Sequence, residues 1–441
     1  MNTSNNISFH VAPGGRLAGS IRVPGDKSIS HRSIMLGALA DGVTRISGFL
    51  EGEDSLATLK AFQQMGVEIE GPDRGRVVIH GVGMHGLKAP TAPLDLGNSG
   101  TSMRLLAGLL AGQGFAVSLS GDRSLSSRPM QRVTEPLASM GALIESSEQG
   151  TAPLRIAPNP RLQGIDYQLP MASAQVKSCV LLAGLYAQGQ TCVTEPAPTR
   201  DHTERMLAGF GYSIRRDGPR VCLSGGGRLE ACAIDIPGDI SSATFFIVGA
   251  AIAAGSDIIL EHVGINPTRD GVINILRLMG AQIDILNPRD IGGEPVADIR
   301  VRASRLQGIR IPEDQVPLAI DEFPAIFIAA ACADGRTLLT GAEELRVKES
   351  DRIQVMVDGL HRLGIEATAR PDGVEIEGGK LKGGEINSHG DHRIAMAFAM
   401  AGLRASEVIR IRDCANVNTS FPGFVALARS AGLEISEGAG L

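Results

Sequence analysis

The sequence predicts an α/β fold of two similar domains, each made of three repeated βαβαββ units with buried parallel helices, an inside-out α/β barrel. Three observations predict it. A stretch of helical apolar spacing, then a glycine, then a short alternating strand recurs six times. A second and more apolar helix precedes each copy. The junctions Val23-Pro-Gly-Asp26 and Ile236-Pro-Gly-Asp239 are near copies of each other and divide the six units into two sets of three. Length agrees, because 441 residues exceed what one core organises.

The amphipathic helices end at Gly66, Gly141, Gly211, Gly280, Gly364 and Gly432, spaced 68 to 84 residues apart. Each glycine stands where a helix C-terminus needs a left-handed residue. The apolar helices start at Ser28-Ile-Ser-His-Arg32, Gly100-Thr-Ser-Met-Arg104, Ala172-Ser-Ala-Gln-Val-Lys177, Asp239-Ile-Ser-Ser-Ala243, Asp321-Glu-Phe-Pro-Ala325 and Asp391-His-Arg-Ile-Ala395. With few polar positions on any face, they belong inside a domain, and their polar residues crowd into the opening turns. A hairpin closes each unit. Its second strand follows five of the six glycines, as at Arg76-Val-Val-Ile-His80 and Asp298-Ile-Arg-Val-Arg302. After Gly432 that strand is missing, and the extended segments 7–11 and 20–23 are placed to supply it. The expected domains are therefore 26–239, and 1–25 with 240–441. Two neighbouring chain crossings form a hinge, and the cleft between the domains is the expected active site.

Composition excludes several classes. Trp is absent and Tyr occurs three times, so no nucleic-acid surface built on stacking is expected, and a net charge of −6 gives no basic footprint. An anionic ligand must be held by local charge. The six cysteines show no metal-ligand spacing and fall mostly in apolar runs, which predicts reduced thiols and a cytoplasmic protein. The opening Met-Asn-Thr-Ser-Asn-Asn lacks the features of a signal peptide. The most apolar run, 245–254, is about half a membrane span. No membrane partner, cofactor or metal is expected.

The chemistry concentrates where buried helices begin. After the Pro24-Gly25 turn, Lys27, Ser28 and Arg32 join free backbone N–H groups and a positive dipole end, which together suit an anion. Gly97-Asn-Ser-Gly-Thr101 is a strand-to-helix turn in which Gly100 allows close approach to Asn98 and Thr101. Pro129 is expected at a helix start with Arg128 just before it, placed for bidentate contact with carboxylate or phosphate. Ser173, Ala174 and Gln175 open the third buried helix, and Arg200 precedes the next. Asp321 is expected where an apolar strand meets a helix, as a cap or a general base. Lys348, Glu349 and Arg352 should share about one helical turn, and Asp391-His392-Arg393 adds a further clamp. Taken singly, each motif is equally compatible with ordinary caps and solvated charges. Gly81-Val-Gly-Met-His-Gly86 matches a dinucleotide fingerprint, but no helix pattern follows it.

Together, Pro24-Gly-Asp-Lys-Ser28 through Arg32, Gly97-Asn-Ser-Gly-Thr101, Arg128-Pro-Met130, Arg346-Val-Lys-Glu-Ser-Asp-Arg352 and Asp391-His-Arg393 resemble the 3-phosphoshikimate 1-carboxyvinyltransferase (EPSP synthase) family over nearly the whole chain. The resemblance implies transfer of the enolpyruvyl group of phosphoenolpyruvate to the 5-hydroxyl of shikimate 3-phosphate by a monomer. It places Ser28, Arg32, Ser173, Ala174, Gln175, Arg200, Asp321 and Lys348 on the shikimate-phosphate side. Lys27, Asn98, Gly100, Arg128, Arg352 and Arg393 fall on the phosphoenolpyruvate side, with Thr101 and His392 as further substrate contacts. Lys27, Asp321 and Glu349 are the implied proton-transfer groups. Ala172-Ser-Ala-Gln-Val-Lys177 and Ile320-Asp-Glu-Phe-Pro324 look like the branch with reduced glyphosate sensitivity, whereas Gly100 is the small residue associated with room for that inhibitor. Where many relatives have Lys-Thr-Phe-Pro, this chain has Thr419-Ser-Phe-Pro422. The related UDP-N-acetylglucosamine enolpyruvyl transferases carry a cysteine at the position of Arg123. A non-catalytic anion-binding repeat protein would have no use for buried acids beside its anion.

Overall fold

The computed structural model describes residues 7–159 and 161–439, so the polar opening hexapeptide lies outside the described residues. Two compact units emerge. One takes the described part of residues 1–24, 237–290 and 295–441, and the other takes 25–236 with 291–294. Each has its own apolar core.

One strand plan recurs in all six sheets. In the 25–236 unit, Ala233–Asp235, Val43–Ser47, Arg76–His80 and Glu68–Asp73 lie side by side, the first pair parallel and the others antiparallel. Leu94–Asp95, Val117–Ser120, Leu154–Ile156 and Ile144–Glu145 repeat that order. So do Asp166–Gln168, Gln190–Thr194, Arg220–Ser224 and Ile214–Asp217.

In the other unit the sheets run Ala18–Ile21, Asp257–Gly264, Glu294–Arg302, Gln282–Ile291, and Gly384–Asn387, Ile409–Arg412, Ile7–Val11, Ile435–Ala439. The third is Arg336–Leu339, Gly373–Glu377, Ala367–Arg370, where the parallel partner shrinks to bridges at Gln307 and Arg310. The strand missing after Gly432 is supplied by Ile7–Val11, which pairs antiparallel with both neighbours. Two strands are exchanged relative to chain order. Ala18–Ile21 precedes the first buried helix but pairs with Asp257–Gly264. Ala233–Asp235 precedes the fourth but pairs with Val43–Ser47.

The six buried helices are Lys27–Leu39, Gly100–Ala111 and Ala174–Gly184 in one unit, and Ile240–Ile252, Phe323–Ala331 and His392–Ala401 in the other. Every residue of Ile240–Ile252 and Phe323–Ala331 is buried. The second and third helices pack so closely that a Cβ on Gly108 would come within 2.1 Å of the Cys179 carbonyl oxygen. That spacing requires glycine. The six glycines ending the amphipathic helices all have φ between 78° and 114°, the left-handed cap their sequence positions predict. Among the described residues no helix is long and apolar enough to cross a membrane.

Several local expectations need correction. Cys192 and Cys222 form a disulfide and are not reduced thiols. They stand opposite each other on antiparallel strands with Cα atoms 4.1 Å apart, a register invisible in residue spacing. No strand leads into Asp321; the 3₁₀ helix Glu313–Gln315 and a run of turns do. Lys348 and Glu349 do not share a helical turn with Arg352, because the chain bends at 348–350 and the helix Arg352–Arg362 opens only after its Asp351 cap. The helix after Arg128 likewise starts at Gln131, two residues beyond Pro129.

Candidate active site

In the 25–236 unit the N-terminal turns of the three buried helices are tied to one another. Asp26 caps the first, accepting from Ile29 N at 2.9 Å, and Lys27 Nζ pairs with the buried Asp54. Arg32 is buried and donates to the Ser28 carbonyl at 2.9 Å, to Thr203 Oγ1 at 2.7 Å and to Ser178 Oγ on the third helix at 2.8 Å. Burial lowers its pKa to about 10, against the opposing pull of Glu204 and Asp26. His31 Nδ1 meets Thr58 Oγ1 at 2.8 Å, and Thr58 reaches Ser102 of the second helix at 2.6 Å. Burial first, then Lys27 and Arg32, holds His31 well below the ordinary imidazole range, so it is neutral.

The second and third helices are joined in the same way. Ser99 caps the second, accepting from Ser102 N at 3.1 Å, and Ser173 caps the third, accepting from Val176 N at 3.4 Å. Arg104 donates to Gln175, and Gln175 donates onward to Thr101 Oγ1 at 3.2 Å. Arg128 donates to Asn98 Oδ1 at 2.8 Å, and Asn98 donates to Asp122 Oδ2 at 2.8 Å. A Cβ on Gly100 would lie 3.1 Å from Arg128 Nη1 and 3.3 Å from Arg104 Nη1, so the glycine keeps two guanidinium groups close over a bare helix start. Ala174, the first residue of the third helix, offers backbone only. Arg200 sits half-buried, two residues before the helix His202–Gly209. The turns bearing Lys27, Ser28, Arg32, Asn98, Gly100, Thr101, Arg128, Ser173, Ala174, Gln175 and Arg200 thus form a single linked, cation-rich set.

The other unit gathers acids with cations. Arg352 is 1% exposed, with Nε 2.8 Å from Asp391 Oδ2, Nη2 2.5 Å from Glu349 Oε2 and Nη1 3.5 Å from Asp321 Oδ1. Burial alone would lower its pKa, but Asp391, Glu349 and Asp321 outweigh that and raise it. Lys348 Nζ lies 3.5 Å from Asp321 Oδ1 and 3.0 Å from Glu344 Oε1. Arg393 donates to the Asp321 carbonyl at 3.1 Å, and its guanidinium lies 4.0 Å from the carboxylate. His392 is the buried first residue of the sixth helix. Asp321, Lys348, Glu349 and Arg393 remain 14–26% exposed, while Arg352, paired with two of them, is buried. Thr419 is buried and turns its hydroxyl to the Asn416 carbonyl at 2.7 Å, so it adds no charge.

Four groups that shape the site escaped the sequence reading as site residues. Asp54 neutralises Lys27, Arg104 holds Gln175, and Asp391 anchors Arg352. Glu322 lies 3.9 Å from Arg393 and accepts from Ser241. Asp391 and Glu322 adjoin singled-out residues, and Asp391 caps the sixth buried helix by accepting from Arg393 N at 3.0 Å. Arg104, one helical turn after Gly100, carried a detectable signal. Asp54 comes from a different helix and carried none.

The cation-rich set of one unit suits the binding of anions, and the acid-and-cation set of the other suits the movement of protons. The sequence profile described as EPSP synthase (3-phosphoshikimate 1-carboxyvinyltransferase) matches residues 11–427. The 3-phosphoshikimate 1-carboxyvinyltransferase of Methylococcus capsulatus is 70% identical over 430 residues, covering 98% of each chain. That of Alkalilimnicola ehrlichii is 68% identical, over 98% of this chain and 97% of the other. The solved EPSP synthase of Acinetobacter baumannii superposes with a TM-score of 0.89 at 60% identity, over 98% of this chain and all of that one. With a matching profile and relatives this similar along their full lengths, the chain belongs to the EPSP synthase family.

Proposed function

We propose that this chain transfers the enolpyruvyl group of phosphoenolpyruvate to the 5-hydroxyl of shikimate 3-phosphate, giving 5-enolpyruvylshikimate 3-phosphate and phosphate. The observation that carries the proposal is the gathering of Lys348, Arg352 and Arg393 around Asp321, with Glu349 paired to Arg352, in a chain of this family. A pure phosphate receptor gains nothing from partly exposed carboxylates among its cations, whereas an addition–elimination reaction needs them.

Addition requires a proton on the methylene carbon of phosphoenolpyruvate and removal of the proton from the attacking hydroxyl. The oxygen then bonds to the central carbon, giving a tetrahedral intermediate. Elimination returns a methyl proton to the protein and expels phosphate. In this reading Asp321 takes the hydroxyl proton, and Glu349 and Lys27 serve the transferred group. Ser28, Arg32, Ser173, Ala174, Gln175, Arg200 and Lys348 hold shikimate 3-phosphate. Asn98, Gly100, Arg128, Arg352 and Arg393 hold phosphoenolpyruvate, and Thr101 and His392 support them. Clustered guanidinium groups neutralise two polyanions, and fixing both substrates removes much of the entropic barrier.

That both sets of residues serve one pair of substrates is part of the proposal. So are the reading of each unit as an inside-out α/β barrel, the hinge at 23–26 and 236–239, the monomeric state and the cytoplasmic location. The test is phosphate release from phosphoenolpyruvate with shikimate 3-phosphate, and separately with UDP-N-acetylglucosamine, as acceptor. Release is expected with the first acceptor and not the second. No release with shikimate 3-phosphate would overturn the proposal.

A further inference from the structure

The deepest charge in the 25–236 unit is neither in the set described above nor in the proposed mechanism. Lys177, on the third buried helix, is fully buried. Its ammonium lies 3.0 Å from Glu195 Oε2, 2.8 Å from Glu204 Oε1 and 3.4 Å from the Thr199 carbonyl. Glu195, also buried, is the hub of this network. Its Oε2 accepts from Thr199 N at 3.2 Å and from Thr199 Oγ1 at 2.6 Å, while Oε1 accepts from Arg216 Nη2 at 3.1 Å. An ammonium with its stem in an apolar core is expensive to desolvate, and apolar residues of similar volume would hold such a core as well. Stability alone does not account for it.

Its position does. Lys177 grips Thr199, the residue before Arg200. Ser178, the next residue on the same helix, accepts from Thr203 Oγ1 at 2.7 Å, and Thr203 in turn accepts from Arg32 at 2.7 Å. Segment 199–203 is thus pinned at both ends to the helix whose first turn carries Ser173, Ala174 and Gln175. We infer that Lys177 and Glu195 are positioning residues that hold Arg200 in register with that turn, and so set affinity for the phosphorylated acceptor. The inference rests on the proposed function, which places Arg200 on the shikimate-phosphate side.

The test compares steady-state kinetics of the wild type, Arg200→Ala, Thr199→Val and Thr199→Ser, with thermal melting to confirm folding. Valine keeps the shape and backbone N–H of Thr199 but removes the hydroxyl held by Glu195; serine keeps the hydroxyl. Thr199→Val is expected to raise KM for shikimate 3-phosphate about 10- to 100-fold, the effect of losing one hydrogen bond to a charged group. Its kcat and its KM for phosphoenolpyruvate should stay within about twofold, and Thr199→Ser should behave as wild type. A purely structural role would not separate the two substrates. If Arg200→Ala raises KM for shikimate 3-phosphate while Thr199→Val leaves it unchanged, or raises both KM values alike, the inference is overturned. If Arg200→Ala itself leaves that KM unchanged, the inference fails through the assignment of Arg200. A wild type that transfers nothing to shikimate 3-phosphate refutes the proposed function instead.

Discussion

Replacing Arg352 by methionine removes a buried cation while filling much of its volume. Asp391, fully buried, then loses the guanidinium 2.8 Å away. It keeps hydrogen bonds from Ser350 Oγ at 3.1 Å and from Arg393 N at 3.0 Å. Removing one partner of a buried pair costs about 3–5 kcal/mol, because the remaining charge is stranded. The two retained donors place Arg352→Met at the low end, about 3 kcal/mol. That is a large part of a typical stability of about 5–15 kcal/mol. With a urea m-value of about 3 kcal/mol per molar, the midpoint of the affected transition should fall by about 1 M. The raised pKa of Arg352 fixes the pH range. A cation whose folded pKa lies above its unfolded value contributes fully below the ordinary arginine range, so alkali in the working range will not mimic the variant. Asp391→Asn added to Arg352→Met removes the stranded charge and keeps an acceptor for Arg393 N. The double variant should recover at least half of the loss. A single variant whose midpoint falls by less than about 0.3 M, or a double variant no better than the single, would refute the stranded-charge account.

Asp321→Ala and Glu349→Ala should each fold, since both side chains are partly exposed, and lose turnover by about 10²–10⁴-fold. Near-normal kcat in either would remove its proton-transfer role. Arg128→Ala should chiefly weaken phosphoenolpyruvate binding, and Gly100→Ala should do so more mildly by pressing a methyl group on Arg128 Nη1. Unchanged affinity for Arg128→Ala in calorimetry would take that arginine out of the clamp. His31 titrates far below its ordinary pKa of about 6.5 in the folded state, so below that pH the unfolded chain binds one more proton and stability falls with acidification. His31→Asn should flatten the pH dependence of the unfolding free energy from urea melts between pH 6.5 and 5, by a slope that approaches about 1.4 kcal/mol per pH unit at the acid end. A profile parallel to wild type would show that His31 titrates alike in both states.

Periodicity made the repeats legible. Each buried helix, each terminating glycine and the hairpin after it follow from local apolar spacing and from the φ a helix C-terminus demands, so single positions such as Gly66 and Gly432 could be assigned from sequence. The transfer of Ile7–Val11 to the last sheet was also legible, because a repeat that lacked a strand had to find one. The candidate site was legible as residue types at helix starts and, through the family resemblance, as a set.

Partnership was decided only by the tertiary structure. Whether Lys27 is neutralised by Asp54, whether Arg352 pairs with three carboxylates, and whether Cys192 meets Cys222 all depend on side chains from different elements meeting within a few ångströms. Local pattern fixes which face of an element is apolar. Which polar group stands opposite another is set by how the elements pack, and that long-range geometry leaves no periodic trace in a single chain.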